Sequence, residues 1–318
     1  MLENNSNIKR PTVAVIIVNW NGGLGLRGCV GSIIEFGGAV VSKIVVVDNA
    51  STDGSIDGVS GLANVTVIRA ESNLGFARAC NLGARCVDSQ YLLFLNPDAA
   101  LHQNTLENTV GFMEESVNAN IGICGVQLFD ESGLVARSCA RFPSARSLAA
   151  HAIGIDRIYP SLGHVMTEWD HSTSRYVDHV IGAFYLVRRE LFRALNGFDE
   201  RFFVYLEDLD FSLRARQAGW RSIYLTDVGA FHAGCGTSSQ VKAHRLFFSL
   251  RSRFLYVFKH FPKAGAFLVA LVTLLVEPII RSLFVLSKRS FSSMKDTWEA
   301  YLMLVRWLPR WAFKGEVR

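Results

Sequence analysis

Short apolar runs that end on polar groups recur along the first hundred residues, and this repeat constrains the fold more than any other feature. Val13–Val18 (VAVIIV) leads into Asn19, and Ile44–Asp48 (IVVVD) ends on Asp48 and Asn49. Val65–Arg69 (VTVIR) has the same character, and Tyr91–Leu95 (YLLFL) leads into Asn96-Pro97-Asp98. Runs this short, rich in Val and Ile and without alternation, read as strands buried on both faces. Helices are expected between them, from about Gly54 to Leu62 and from Gly75 to Val87. Strand and helix in alternation predict an α/β fold with a mostly parallel central sheet flanked by helices. Open sheets of that kind bind ligands outside the carboxyl ends of their strands. Three polar clusters at three strand ends therefore point to one crevice.

Beyond the repeat the chain is less regular. Arg141–Tyr176, with scattered Pro, Ser, His and charge, reads as a long, partly mobile loop before structure resumes at Val177–Val187. Helices are expected over Arg189–Leu195 and Glu207–Ala218, the latter closed by Gly219. Residues 1–250 form the expected catalytic domain and residues 251–318 a helical extension, which differ in charge. The first part holds 21 Lys and Arg against 24 Asp and Glu, the second 12 against 4. No basic cluster interleaved with aromatics occurs in the first part, so nucleic acid is not an expected partner. The six cysteines are scattered without a C-x-x-C pair and are expected mostly as buried small hydrophobes. Met1–Arg10 is polar, so no signal peptide is expected and the enzyme part should stay in the cytoplasm.

The extension is apolar over Ala264–Val276, is interrupted by Glu277-Pro278, and resumes over Ile279–Leu286 with Arg281 inside. A spanning helix needs about 20 apolar residues, and a Glu or Arg at midplane costs roughly 2.5–3.5 kcal/mol. Lys259, Lys263, Lys288 and Arg289 flank the segment, and Trp298, Trp307 and Trp311 follow it. The favoured expectation is a helix or helical hairpin lying in the membrane interface. A true span, or a buried core or dimer helix, are the alternatives.

The strand-end residues suggest chemistry. Asp48 can accept the ring N–H of a pyrimidine base, with Asn19 on a neighbouring strand, whereas Ser51 and Asp53 read as helix caps. Asp98 can hold a divalent cation, Mg²⁺ or Mn²⁺, that bridges two phosphates, although N-P-D by itself is a common turn. Glu207, Asp208 and Asp210 open a helix and complement its dipole, but they cannot all point one way. One can face the crevice as a general base while another pairs with Arg214. His232 follows a predicted strand and suits a metal or proton handling, though a lone His is more often structural.

Together these segments resemble glycosyltransferase family 2 on a GT-A fold, particularly its rhamnosyltransferase-like branch. They are VAVIIVNWNG, VVVDNASTDGS, ESNLGFARACNLG, YLLFLNPDA, GAFYLVRRELFRALNGFDERFFVYLEDLDFSLRARQAGW and FHAGCGTS, in order from residue 13 to about 238. The resemblance implies a GT-A, Rossmann-like sheet and an inverting transfer from a nucleotide-diphosphate sugar to a hydroxyl. It implies that Asp48 reads the uracil or thymine ring, with Asn19 and Asn96 nearby and Arg78 and Asn81 at the phosphates or donor sugar. Asp98 would bind the metal with His232, because Asn96 stands where many relatives carry Asp. Asp208 would be the catalytic base, with Glu207 supporting it and Asp210 on the acceptor side. The implied donor is dTDP-L-rhamnose and the acceptor a lipid-linked saccharide for cell-surface polysaccharide, met at the cytoplasmic face of the membrane. UDP-hexoses remain an alternative donor class, and the extension could also pair two copies of the chain. A sugar nucleotidyltransferase would normally carry a Gly- and Lys-rich phosphate loop, and the NWNGGLGLRG stretch has no Lys. A non-catalytic sugar-binding protein would be expected to lose Asp98 or Asp208, and both are present.

Overall fold

The computed structural model describes residues 11–234, 242–287 and 291–315. Strand β1 (Val13–Asn19) is buried along its whole length. It lies at the centre of a parallel set with β2 (Val41–Asp48), β3 (Val65–Arg69) and β4 (Tyr91–Leu95), in the order β3-β2-β1-β4. Helices α1 (Gly23–Phe36), after β1, and α2 (Phe76–Arg85), before β4, cover its two faces, which is why these strands show no polar alternation. The helix expected from Gly54 to Leu62 is only a 3₁₀ turn at Ser55–Gly58. Asp53 Oδ1 takes up the Ser55 N–H and hydroxyl and Asn21 Oδ1 the Thr52 N–H, so side chains bind the stretch that would have begun a helix there.

The rest of the sheet is mixed. After β4 come β5 (Ala99–Leu101), α3 (Thr105–Glu114), β6 (Ile121–Phe129), the short β7 (Cys139–Ala140), α4 (Ala145–Ile153), β8 (Arg175–Val177) and β9 (His179–Val180). β10 (Phe184–Arg188) runs antiparallel between β4 and β6. α5 (Arg189–Ala194) and α6 (Glu207–Gln217) precede the long β11 (Arg221–His232), which pairs parallel with β6 and antiparallel with β5 and β8. The expected α/β sheet flanked by helices is present, its parallel character concentrated in the first four strands. Arg141–Tyr176 is not a simple loop. It contains α4, opened by a reciprocal capping box between Ser144 and Ser147, and α4 packs on the extension.

The extension begins within α7 (Lys242–His260), which runs unbroken through residue 250. A continuous helix follows over Lys263–Ser287, made of α8 (Lys263–Leu271), a π-helical turn at Val272–Val276 and α9 (Glu277–Ser287). α10 (Phe291–Lys314) packs back on α7 and α9. Glu277, expected to burden an apolar segment, is 1% exposed and paired with Arg253 at 2.5 Å and Arg281 at 2.8 Å. Burial pushes its carboxyl up, but the two guanidinium groups outweigh this and hold it below the usual carboxylate range. Of the three tryptophans, Trp298 is exposed, whereas Trp307 is buried and Trp311 stacks on it. Lys288, Arg289 and Cys235 lie outside the described residues. Cys29, Cys80, Cys124 and Cys139 are buried as expected, and Cys86 is exposed.

Candidate active site at the carboxyl ends of the strands

β1 and β2 end in register, with Asn19 opposite Asp48. The fully buried Asn19 amide donates to Asp48 Oδ1 at 2.9 Å and lies 3.0 and 2.9 Å from the Ser51 and Ser55 hydroxyls. Asp48 is thereby held by a neutral donor, and no cation is hydrogen-bonded to it among the described residues. Ser51 caps no helix, whereas Asp53 Oδ1 accepts the Ser55 N–H at 3.0 Å at the start of the 3₁₀ turn, and both residues also reach across to the loop after β1. Ser51 accepts from the Asn21 N–H at 2.9 Å and Asp53 from the Gly23 N–H at 2.8 Å, so they tie the loops after β1 and β2 together. Asn49 does the same for the start of α2, through Leu74 N–H and Gly75 C=O. Gly75 has φ of +80°, and a Cβ there would sit 2.4 Å from the Phe203 carbonyl oxygen that Phe76 N–H reaches at 2.6 Å.

On α2 the structure corrects one expectation. Asn81 is buried and committed to the loop before α6, donating to Phe198 C=O (2.8 Å) and Glu200 Oε1 (3.1 Å) and accepting from Phe198 N–H. Both amide protons are used within the protein, so it acts as a clamp and not as a phosphate or sugar contact. Arg78, half-exposed, lies 3.8 Å from Glu200.

The pairing of β5 with β11 places His232 beside Ala99, and Ala233 N–H donates to Asp98 C=O at 3.1 Å. His232 Nε2 is thus 3.4 Å from Asp98 Oδ1 and 3.2 Å from Asn96 Nδ2. With the Asn96 amide donating, Nε2 carries a lone pair, the form in which imidazole ligates a metal. One carboxylate oxygen and one imidazole fit a Mg²⁺ or Mn²⁺ ion whose remaining ligands come from substrate phosphates and water. Among the described residues no cluster of three or more His, Cys, Asp or Glu forms a self-sufficient metal cage. Cys29 lies beneath, its thiol 3.4 Å from Asn96 C=O, and burial and then Asp98 push its pKa up.

The three acidic residues of α6 meet different fates. Asp208 lies at the crevice, its side chain 16% exposed. Its Oδ2 accepts Gly182 N–H at 2.7 Å and its Oδ1 accepts Leu209 N–H at 2.8 Å. A Cβ at Gly182 would stand 3.0 Å from Asp208 Oδ2, so a side chain there would crowd the carboxylate. His179, buried and 3.6 Å from the same oxygen, is kept neutral chiefly by burial. Glu207 is buried with Oε2 unpartnered, and burial, then the Asp208 and Asp210 charges, raise its pKa well above the usual range. Asp210 is not on the acceptor side. It is fully buried against Arg214 Nε (2.8 Å), Lys259 Nζ (2.5 Å) and His260 Nε2 (2.7 Å), an ion cluster that fixes α6 to α7. Lys259, expected beside a membrane segment, belongs to this cluster.

Gly182 and Ala183 join the two halves of the site: Gly182 N–H holds Asp208, and Ala183 C=O accepts Asn96 N–H at 3.0 Å. On the other side Gly22 packs between Asn19 and Pro97. Asn19, Asp48, Asp98, His232 and Asp208 therefore line one continuous edge. A separate cavity of about 740 Å³ lies behind α2, lined by Asn81, Arg85, Arg193, Glu200 and Lys259 among others, and shares none of these five. His179 and Gly182 are neighbours of Asp208 that the sequence reading passed over. Both lie within the quoted or adjoining strand segments, but only the fold turns them toward Asp208.

This architecture is that of a GT-A glycosyltransferase. The mannosyltransferase PcManGT from Pyrobaculum calidifontis, solved with GDP-Man and Mn²⁺, superposes with a TM-score of 0.54 at 18% identity, covering 97% of this chain and 89% of that one. The family profile "Glycosyl transferase family 2" matches residues 14–159, and "Glycosyl transferase family group 2" matches residues 91–313. The chain belongs to glycosyltransferase family 2. It is 26% identical over 230 residues to the N-acetylglucosaminyl-diphospho-decaprenol L-rhamnosyltransferase of Mycobacterium tuberculosis H37Rv, covering 68% of this chain and 74% of that protein. It is 35% identical over 152 residues to the rhamnosyltransferase WbbL of Escherichia coli K12, covering 47% and 53%.

Proposed function

We propose that the protein is an inverting, metal-dependent glycosyltransferase that moves L-rhamnose from dTDP-rhamnose to a hydroxyl of a lipid-linked saccharide. The observation that carries this reading is the continuous edge on which Asp48, Asp98 with His232, and Asp208 meet. Asp48, oriented by Asn19, accepts the ring N–H of the pyrimidine. Asp98 and His232, with Asn96 beside them, would hold a divalent cation, which as a Lewis acid would offset charge on the departing diphosphate. Asp208, fixed by the Gly182 and Leu209 amides, takes the proton of the acceptor hydroxyl. That oxygen bonds to the anomeric carbon as the bond to the diphosphate oxygen breaks, and the configuration inverts. Neutral Glu207 supports Asp208 from below without adding a second negative charge. The names of the similar proteins support a rhamnosyl donor and a polyprenyl-linked acceptor.

On this reading residues 1–250 carry the chemistry and residues 251–318 hold the enzyme at the cytoplasmic face of the membrane. The test is nucleoside diphosphate release from a panel of dTDP-rhamnose, UDP-hexoses and GDP-mannose, with and without Mn²⁺, followed by NMR of the product's anomeric centre. Fastest release from dTDP-rhamnose, dependent on the ion and giving the inverted anomer, is the expected result. Preference for a UDP-hexose replaces the donor, and turnover in the presence of chelator removes the roles given to Asp98 and His232.

A further inference from the structure

The helix Lys263–Ser287 is built inside out. Its buried face carries Thr273 and Glu277 among small apolar residues, with Arg253 of α7 bonded to both. Its outward face repeats large apolar residues at about every fourth position: Phe267, Leu271, Leu275, Ile279, Leu283 and Leu286, all exposed. Two neighbouring segments extend that face. α10 exposes Trp298, Leu302, Val305 and Phe313. The turn after α4 exposes Ile158 (72%) and Tyr159 (62%), with Ile155 and Leu162 beside them. That turn adjoins the helix directly, because the Arg157 guanidinium lies 4.4 Å over the exposed Phe284 ring.

We propose that these three segments form one platform that seats in a single leaflet of an anionic bilayer, with the helix Lys263–Ser287 lying along the surface and not across it. The inference rests on the membrane attachment proposed above and deepens it by naming the orientation and a second contact, the turn at Ile155–Leu162. Two observations fix the orientation. α4, part of the sheet-bearing region, touches α8, the π-turn and α9 in succession, so the catalytic part lies alongside the middle of the helix. A perpendicular span would drag α4 and its polar surroundings into the hydrocarbon, where lipid-exposed irregular backbone is not tolerated. The apolar face also follows one stripe of the helix and does not encircle it, the pattern of an interfacial helix. Charge selects the occupant. Exposed Lys263, Lys295, Arg306, Arg310 and Lys314 on the helices of the platform outnumber the exposed acid Glu299 among the described residues there, matching an anionic headgroup layer. The same cations would face one another across an isologous pair of copies.

The test uses the full chain and sealed vesicles containing about one third phosphatidylglycerol in phosphatidylethanolamine. Cosedimentation of the wild type is compared with Ile158→Glu/Tyr159→Glu and with Leu275→Glu/Ile279→Glu, scoring unfolding temperature and nucleoside diphosphate release in parallel. Both exposed pairs should leave unfolding and diphosphate release with a soluble acceptor unchanged, while partitioning falls by about tenfold or more. Wild-type partitioning with normal affinity for the turn variant would overturn the composite platform. A wild type that ignores vesicles would overturn the attachment itself, while leaving the transferase reading to its own donor assay. Labelling of Leu286→Cys from the vesicle lumen would show a span and overturn the surface orientation. Dimerisation without vesicles that Leu275→Glu abolishes would assign the face to a second copy.

Discussion

The strand-end crevice and the carboxy-terminal bundle both bury charge, and they handle it in opposite ways. In the crevice, Asp48 and Asp208 are gripped by neutral donors: an asparagine amide and two backbone N–H groups. Such bonds fix a carboxylate's orientation and leave its charge available to a ligand. In the bundle and at its junction, Glu277 and Asp210 are surrounded by Arg, Lys and His. Those partners cancel the charge and leave it nothing to do but hold helices together. Asp208 and Asp210, two residues apart on one helix, make the contrast within a single turn. Acidity near a helix start therefore says less about function than the charge of whatever each carboxylate touches.

The contrast can be broken at several points. The largest effect should come from the crevice. Asp208→Asn and Asp98→Ala are expected to lower transfer by about 10²–10⁴-fold while leaving the urea unfolding midpoint near that of the wild type. Retention of more than about a tenth of activity by Asp208→Asn would remove it as the base. In the bundle the signature reverses. Glu277→Gln leaves Arg253 without its counter-ion and should cost about 3–5 kcal/mol in urea unfolding, with little change in turnover per folded molecule.

Asp210→Asn should cost somewhat less, about 2–3 kcal/mol, because partly exposed Arg214 and Lys259 can turn to water. Burial pushes the Asp210 carboxyl up, but His260, Arg214 and Lys259 hold it below its ordinary range overall. Its stabilisation is therefore complete above the unfolded carboxyl value of about 4 and is lost as pH falls through the folded value. Acid titration of stability should be shallower in the variant than in the wild type. The smallest effect is expected from Glu207→Gln. The raised pKa of Glu207 contributes stability that is full below the unfolded value of about 4 and is lost as pH rises through the folded one. The variant should match the wild type in acid and exceed it at alkaline pH. Loss of transfer equal to that of Asp208→Asn would instead make Glu207 the proton acceptor.

Legibility in the sequence followed the source of each residue's environment. Asn19, Asp48 and Asp98 were readable because a strand end in an α/β sheet has one address, whatever packs around it. α2, α5 and α6 were readable to within a few residues from their breakers and periodicity. α4 was missed because its stabilisation comes from packing on the extension, which no local pattern announces. The turn at Ser55–Gly58 was overread as a helix because the polar run leading into it is committed to side-chain bonds, Thr52 N–H to Asn21 and Ser55 N–H to Asp53, which the local pattern does not announce. Asn81 was placed at the donor because its motif lies there, yet its partners at 198 and 200 come from a distant loop.

The sequence by itself determined a buried parallel core, the strand ends that face a crevice, and the family to which the chain belongs. These depend on local apolar pattern and on motifs whose order survives divergence. The tertiary structure alone decided which carboxylates meet neutral donors and which meet cations. It also decided that His232 reaches Asp98 through strand pairing, and that Arg253, Thr273 and Glu277 of the extension turn inward. Each of those outcomes is a contact between segments far apart in the chain, and a carboxylate's charge is governed by the groups a few ångströms away in space.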